Sequence, residues 1–262
     1  MAWRTIAHVL GIYKAYEYLL EREVRKGDIP NHVAFILDGN RRWAKSKGAP
    51  AWMGHRYGAE KAEEVLEWCY DLGVRTVTLY VLSTENLQRR NPEEIKEILK
   101  LLEDKLEKLR NSGKLEKRRV RVKFIGNKSL LPTGLLEKIE NIEKSSSIYN
   151  ERFLNIALAY GGRWEIVQAV RKLVQDVKAG KLADEDINEK TFERYLFTGD
   201  QPYPDPDLVI RTSGEERISN FLLWQIAYSE LVFLDVFWPD FRKIDFLRAV
   251  RTYQSRHRRF GG

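Results

Sequence analysis

Short runs of β-branched and aliphatic residues alternate along the chain with longer stretches whose apolar residues recur every three or four positions. Val33–Leu37, Thr76–Leu82, Val120–Ile125, Leu154–Ala159, Leu208–Ile210 and Val232–Val236 are of the first kind and predict strands. Roughly Tyr57–Leu72, Pro92–Arg110, Thr133–Lys144 and Arg163–Val177 are of the second and predict helices. Asn91-Pro92-Glu93-Glu94 opens one of these with an Asn cap, Pro in the first turn and acids facing the positive end of the helix dipole. The alternation predicts an α/β fold, a single domain with a central, mostly parallel six-stranded sheet flanked by helices. No internal repeat or low-complexity linker breaks it. Ligands of such sheets sit beyond the carboxyl ends of the strands, so the residues there come first.

The two ends of the chain differ from its middle. Ile6, Leu10, Tyr13, Leu20 and Val24 recur at helical spacing, and Arg4, Lys14, Glu17 and Glu21 interrupt any signal-peptide pattern. This amphipathic helix either lies on its own domain or rests on a bilayer with Trp3, Tyr13 and Tyr16 at headgroup depth. From Phe241 to Gly262, seven arginines and lysines face Asp245 alone, so most of the net charge of +7 is assignable to this one segment. A solvated basic face and contact with phosphate or anionic lipid both fit it. Composition excludes other classes: 43% hydrophobic and 32% charged residues describe a globular chain of 262 residues rather than a disordered one. Cys69, the one cysteine, rules out an internal disulfide framework or a multi-thiolate zinc site and is expected in the core. No stretch is apolar for long enough to span a membrane.

Three strand ends carry chemistry. The first runs into HVAFILDGNRRW, where Asp38 is followed by Gly39, Asn40, Arg41 and Arg42. Glycine lets backbone approach a ligand closely, and the arginines are bidentate phosphate donors. A carboxylate among such groups is explained by a divalent cation joining it to the anion, magnesium by preference, or it is a capping Asp beside surface arginines. The second ends in TLYVLSTENLQR, with Ser83, Glu85, Asn86 and Arg89, which is also ordinary loop chemistry. The third leads into DLVIRTSGEERISNFLLWQIAYSEL. Arg211, Arg217 and Ser219 form a second diphosphate cradle there, and Glu230 is placed to complete a metal site with Asp38. P-loop, dinucleotide-binding, nucleophile-elbow and H-E-x-x-H motifs are absent, and so are the Asp-rich boxes of helical prenyl synthases. The histidines lack metal-ligand spacing.

At these residues the chain resembles the cis-prenyltransferases, the undecaprenyl diphosphate synthase family, and its archaeal members in particular. The resemblance spans Ile29 to Gly262 through HVAFILDGNRRWAKSKG, the Gly54-His55 step, TLYVLSTENLQR, NIALAYGGRWEI, DLVIRTSGEERISNFLLWQIAYSEL and VFWPDF. It implies an extension at residues 1–28 and a catalytic domain at 29–262. It further implies an allylic prenyl diphosphate starter, farnesyl or geranylgeranyl diphosphate, over Asp38-Gly39-Asn40, near Arg41, Arg42 and His55, with Trp43 and Ser83 among the substrate-binding residues. Isopentenyl diphosphate would lie beside it on Arg211, Arg217 and Ser219, with Mg²⁺ between Asp38, Glu230 and the phosphates. Units would be added with Z geometry, giving a long polyprenyl diphosphate, precursor of a glycosyl carrier lipid. Asp38 and Asn86 match catalytic positions, Glu85 and Arg89 a closing loop. The growing chain would lie in an apolar tunnel between the sheet and the helices of Tyr57–Leu72 and Pro92–Arg110.

Arg259-Phe260-Gly261 resembles a C-terminal R-x-G signature in which Arg259 and Gly261 reach the neighbouring subunit's site, implying a homodimer. A cytoplasmic location is expected, with peripheral contact at the inner face of the cell membrane and no nucleic-acid partner. Four positions depart from the family pattern: Ala51 where an arginine is frequent, Leu82 and Leu87 where aromatics are, and Ala159 where Asn is. A non-catalytic subunit of a heteromeric prenyltransferase is the alternative, although such subunits tend to lose the Asp38-type turn that this chain retains.

Overall fold

The computed structural model describes residues 12–257. The first helix, α1 (Ile12–Val24), is followed by β1 (His32–Ile36), α2 (Asn40–Ser46), α3 (Ala51–Leu72), β2 (Thr76–Ser83), α4 (Thr84–Arg89), α5 (Pro92–Asn111), α6 (Lys114–Arg118) and β3 (Val120–Ile125). Then come α7 (Thr133–Ser146), β4 (Arg152–Tyr160), α8 (Gly162–Lys178), α9 (Glu189–Glu193), β5 (Leu208–Thr212), β6 (Glu230–Leu234) and α10 (Lys243–His257). All six predicted strands and the four predicted helices form, most with shifted ends.

The sheet order is β3-β4-β2-β1-β5-β6, and every pairing is parallel. Alternate residues of each strand feed opposite faces. Val33, Phe35, Val77, Leu79, Leu154, Ile156 and Ile210 join the larger core cluster, while Ala34, Ile36, Tyr80, Ala157 and Val209 join a smaller one with Phe221 and Leu222. This two-sided burial explains why the strands read as unbroken apolar runs. Cys69 is buried in the larger cluster, as expected. The chain leaves β1 toward β2 on one side and later returns to pair β5 on the other. A crevice therefore opens beyond the carboxyl ends of β1 and β5, where the winding reverses.

Helix α3 starts at Ala51, earlier than the periodicity predicts, because two glycines dilute its first turns. A Cβ on Gly54 would stand 2.1 Å from the Asn40 carbonyl oxygen, and one on Gly58 2.2 Å from Asn40 Oδ1. The glycines thus let α3 press against the start of α2. Helix α1 lies on its own domain: Leu20 and Val24 are buried in the larger core cluster. Gln254 Nε2 on α10 donates to the Val24 carbonyl at 2.8 Å, and Lys243 pairs with Glu21 at 2.6 Å. Tyr16, Tyr18 and Leu19 remain exposed. Trp3, Ile6 and Leu10 lie outside the described residues.

Candidate active site

The chain leaves β1 through a turn that only glycine accommodates. Gly39 has φ 104°, and a Cβ there would stand 2.8 Å from Phe237 Cδ1. The Asp38 backbone is fixed on both sides: its N–H donates to Thr212 Oγ1 at 3.2 Å, and its carbonyl accepts from the Thr212 hydroxyl at 2.7 Å and the Trp238 N–H at 3.0 Å. Its carboxylate accepts Arg211 Nη2 at 2.7 Å and Arg42 Nη2 at 3.3 Å. Burial works to raise the pKa of Asp38, but the hydrogen bond and charge of Arg211, helped by Arg42, hold it below the usual carboxylate range.

Arg211 is only 4% exposed. Its Nη1 donates to Ser219 Oγ at 2.8 Å and to the Arg217 carbonyl. Arg42 also donates to Ser213 Oγ at 2.5 Å and Glu215 Oε1 at 3.1 Å, while the exposed Arg217 pairs with Glu215. Asp38, Gly39, Arg42, Arg211, Arg217 and Ser219 therefore come together, as the sequence predicts. Ser213, Ser219, Asn220 and Leu222 all have positive φ, so residues 213–222 form a tightly wound loop rather than a helix.

A second cationic group stands beside this one. Glu94 Oε1 is shared by His55 Nε2 at 2.9 Å and Arg90 Nη1 at 3.0 Å, with Arg41 Nη1 at 4.0 Å from Glu94 Oε2. Burial lowers the pKa of His55 and Glu94 opposes it; the balance stays below the ordinary histidine value. Asn40 Nδ2 donates to the Leu37 carbonyl, and Trp43 packs on Tyr57 with ring centroids 4.9 Å apart. The sequence points to Arg41 and His55 but misses Arg90 and Glu94. Arg89, matched by resemblance, is exposed, whereas its neighbour Arg90 turns into the cleft. The one available signal is the i,i+4 spacing of Arg90 and Glu94.

The STENLQR stretch is a short helix, α4, rather than a plain loop. Ser83 Oγ caps it by accepting from the Asn86 N–H at 3.0 Å. Glu85 accepts from Asn220 Nδ2 at 2.8 Å, tying α4 to the loop that carries Ser219. Asn86 is half-buried in the same helix.

Glu230 requires a correction. It begins β6, in register with Leu208, whereas Arg211 and the Asp38 turn lie at the opposite end of the same strands. The separation from Leu208 to Arg211 alone is about 10 Å at the rise of a parallel strand. Glu230 instead accepts from Arg256 at 3.0 Å on α10, so within one chain it does not join Asp38 in a metal site. Arg259 and Gly261 lie outside the described residues.

Among the described residues no three His, Cys, Asp or Glu side chains group as a metal cage. Magnesium commonly binds through one or two carboxylates together with substrate phosphates. Asp38 fits that use: its side chain is 29% exposed, it is held ionised, and it sits among arginines suited to phosphate.

Beside the crevice, a cavity of about 300 Å³ lies between the sheet and helices α3 and α5. Asn40 and His55 line one part of it, and Leu79, Val81, Leu102 and Ile156 line its apolar middle.

Comparison with known proteins agrees with this geometry. The family described as putative undecaprenyl diphosphate synthase matches residues 36–261. A tritrans,polycis-undecaprenyl-diphosphate synthase (geranylgeranyl-diphosphate specific) of Methanopyrus kandleri is 54% identical over 250 residues, covering 95% of this chain and 91% of that protein. A protein of the same name from Pyrococcus furiosus is 50% identical over the whole of both chains. Among solved structures, lavandulyl diphosphate synthase from Lavandula x intermedia, in complex with dimethylallyl diphosphate, superposes with a TM-score of 0.81 at 37% identity. It covers 86% of this chain and 95% of its own. A probable undecaprenyl diphosphate synthase from Campylobacter jejuni gives 0.71 at 31% identity, covering 90% and 100%. With its anion crevice, apolar cavity and full-length relatives in agreement, the chain belongs to the undecaprenyl diphosphate synthase family of cis-prenyltransferases and is a polyprenyl diphosphate synthase.

Proposed function

We propose that this enzyme extends geranylgeranyl diphosphate by successive additions of isopentenyl diphosphate, each leaving a Z double bond, to a long polyprenyl diphosphate that serves as precursor of a glycosyl carrier lipid. The observation that carries the reading is the ionised Asp38, bound to Arg211 and Arg42, between Leu37 and Asn40, which both line an apolar cavity. The starter follows the specificity in the names of the archaeal relatives.

Each of the chain's groups has a part. Arg41, Arg90 and His55 hold the starter diphosphate at the cavity mouth. Arg211, Arg217 and Ser219 hold the isopentenyl diphosphate, so that its terminal alkene carbon faces the allylic carbon. The new carbon–carbon bond forms as the allylic carbon–oxygen bond breaks, the electron pair leaves with diphosphate, and the isopentenyl unit loses a proton to restore a double bond. Asn86, in the helix capped by Ser83, positions the reacting carbons, and Glu85 closes α4 over them through Asn220. Asp38, together with the phosphates, would hold magnesium, which would supply charge neutralisation for the departing diphosphate. Placing reactants and stabilising the leaving group account for most of the rate. A homodimer in which Arg259 and Gly261 reach the neighbouring site completes the proposal, with the exposed Tyr16, Tyr18 and Leu19 of α1 as a peripheral membrane contact.

The test is incorporation of labelled isopentenyl diphosphate into a polyprenyl product by the purified full chain, with Mg²⁺ and geranylgeranyl diphosphate. Asp38→Asn is expected to lower turnover by at least ~100-fold, the scale of losing one electrostatic contact to a transition state, with the folded state retained by circular dichroism. A folded wild-type protein that incorporates nothing from any allylic starter defeats the proposal in favour of a non-catalytic subunit.

A further inference from the structure

A second cavity, of about 700 Å³, opens at the β3 edge of the sheet, between α7, α8 and the segment after α9. It shares no lining residue with the apolar cavity. Five cations line it, Arg121, Lys123, Lys128, Lys172 and Arg194, against the carboxylates of Glu143 and Asp200. Both carboxylates are engaged. Asp200 accepts from Lys123 at 2.6 Å and pairs with Arg121 at 3.5 Å, while Glu143 accepts from Lys128 and from the Phe124 N–H, both at 2.7 Å. Among the described residues Lys172 and Arg194 have no carboxylate partner; Lys172 Nζ lies 5.6 Å from the centre of the Phe197 ring. The wall beside them is aromatic and fixed. Trp164 and Phe197 stack with ring centroids 5.9 Å apart and planes 23° from parallel. The Phe197 N–H donates to Glu165 Oε1 at 2.7 Å, and the Tyr195 hydroxyl donates to Asp176 at 2.9 Å. Glu165 is buried and is held in turn by Gln225 Nε2 at 3.2 Å.

A cavity of this volume takes one small molecule. Its surplus of positive charge calls for an anion, and a guanidinium beside an ammonium suits more than one phosphate. The ring pair offers a planar ring a surface to stack on, and a wall already tied down loses little freedom when it does. A phosphorylated nucleoside joins these features in one molecule. We propose that this groove is a second ligand site, taking a nucleoside di- or triphosphate with its base on Trp164 and Phe197 and its phosphates on Lys172 and Arg194. The site connects with the crevice through Glu165. The Tyr160 hydroxyl donates to Glu165, and the Tyr160 ring meets Phe221 edge-on at 6.1 Å, in the loop that carries Ser219. A nucleotide settled on Phe197 therefore bears on the isopentenyl diphosphate site and shifts its affinity. A merely solvated basic edge would take any phosphate alike and leave the crevice unaffected.

The experiment is equilibrium dialysis of labelled ADP against the purified full chain, with Mg²⁺ and saturating geranylgeranyl diphosphate but no isopentenyl diphosphate, so that nothing turns over. ADP is expected to bind the wild type. Lys172→Glu combined with Arg194→Glu, both at exposed positions, is expected to weaken that binding by at least ~10-fold, the scale of losing hydrogen bonds to a charged group. Inorganic diphosphate and adenosine are each expected to compete about 10-fold less well than ADP, since one lacks the stacking ring and the other the charge. In turnover assays ADP is expected to shift the KM for isopentenyl diphosphate about fivefold in the wild type and not in the double variant. No binding by the wild type overturns the site. Binding that the double variant retains in full places ADP in the crevice and overturns it equally. Diphosphate that competes as well as ADP overturns the nucleotide assignment, since the groove then reads charge alone. Binding lost in the double variant with KM unmoved in the wild type upholds the site and overturns its coupling to the crevice. If the double variant fails to fold, the two single variants decide. Dialysis needs no turnover, so a wild type that binds ADP and makes no product separates this site from the failure of the proposed function.

Discussion

His32 and Asp38 flank β1 and show how one strand can hold two ionisable groups in opposite states. His32 is fully buried, and its Nε2 sits 2.7 Å from Thr78 Oγ1, part of a polar chain that continues to Asn155 and Gln201. Burial pushes its pKa down to about 3. A folded-state pKa below the unfolded 6.5 means the unfolded chain binds the extra proton first, so stability is full above 6.5 and drains as pH falls toward 3. The loss attributable to His32 approaches ~1.4 kcal/mol per pH unit in that window. Urea unfolding of the wild type is therefore expected to weaken more steeply from pH 6 to pH 4 than that of His32→Leu; parallel pH profiles would count against it. Asp38 is instead exposed enough to meet a ligand, and its arginines keep it charged. The order HVAFILDG already separates these fates, because in a parallel sheet only the carboxyl end of the strand, where Asp38 stands, faces the crevice.

Among the elements, regular pieces were legible and their junctions were not. The β3 range coincides with its apolar run, and α5 begins where Asn91 and Pro92 say it should, with Asn91 Oδ1 accepting from the Glu93 N–H at 2.9 Å. The misjudged stretches are those where contact across the fold overrides local preference. Gly54 and Gly58 weaken the helical signal of α3 yet serve its packing on Asn40, and α4 is short enough that Ser83's cap decides it. The site divides similarly. The Asp38, Arg211 and Ser219 grouping follows from strand ends, whereas Arg90 and Glu94 depend on how α5 leans back, and Glu230 was misplaced within one chain because it precedes its strand and so stands at the amino end of the parallel sheet, away from Asp38. Ala159, near the end of β4, is buried with φ 50°. A residue with a Cβ pays about 1–2 kcal/mol for that conformation. Ala159→Gly is therefore expected to stabilise the fold by about 1 kcal/mol, less what the lost methyl contributes; a lowered melting temperature would refute the strain.

For the molecule as a whole, the parallel sheet gathers residues from β1, β5 and the segment after β6 at the carboxyl end of the strands, while the Arg256–Glu230 pair lies at the amino end. No described helix is long and apolar enough to cross a membrane. The fold also assembles without a metal cage among the described residues. Chelation is accordingly expected to abolish product formation while moving the melting temperature of the substrate-free enzyme by less than about 2 °C, the scale of under ~1 kcal/mol for a chain of this size. A larger fall would mean that the ion also supports the fold.

The Asp38–Arg211–Arg42 contact has one more consequence. In the free protein the carboxylate and the two arginines satisfy one another, so neither a lone cation nor a lone diphosphate meets an unengaged partner. Each ligand that draws away one side of the contact releases the other side for the second ligand. Their affinities are then coupled, and the coupling must be mutual: whatever factor diphosphate adds to magnesium binding, magnesium adds to diphosphate binding. Titration of either one alone would show weak binding, and the enzyme would behave as a receptor for the pair.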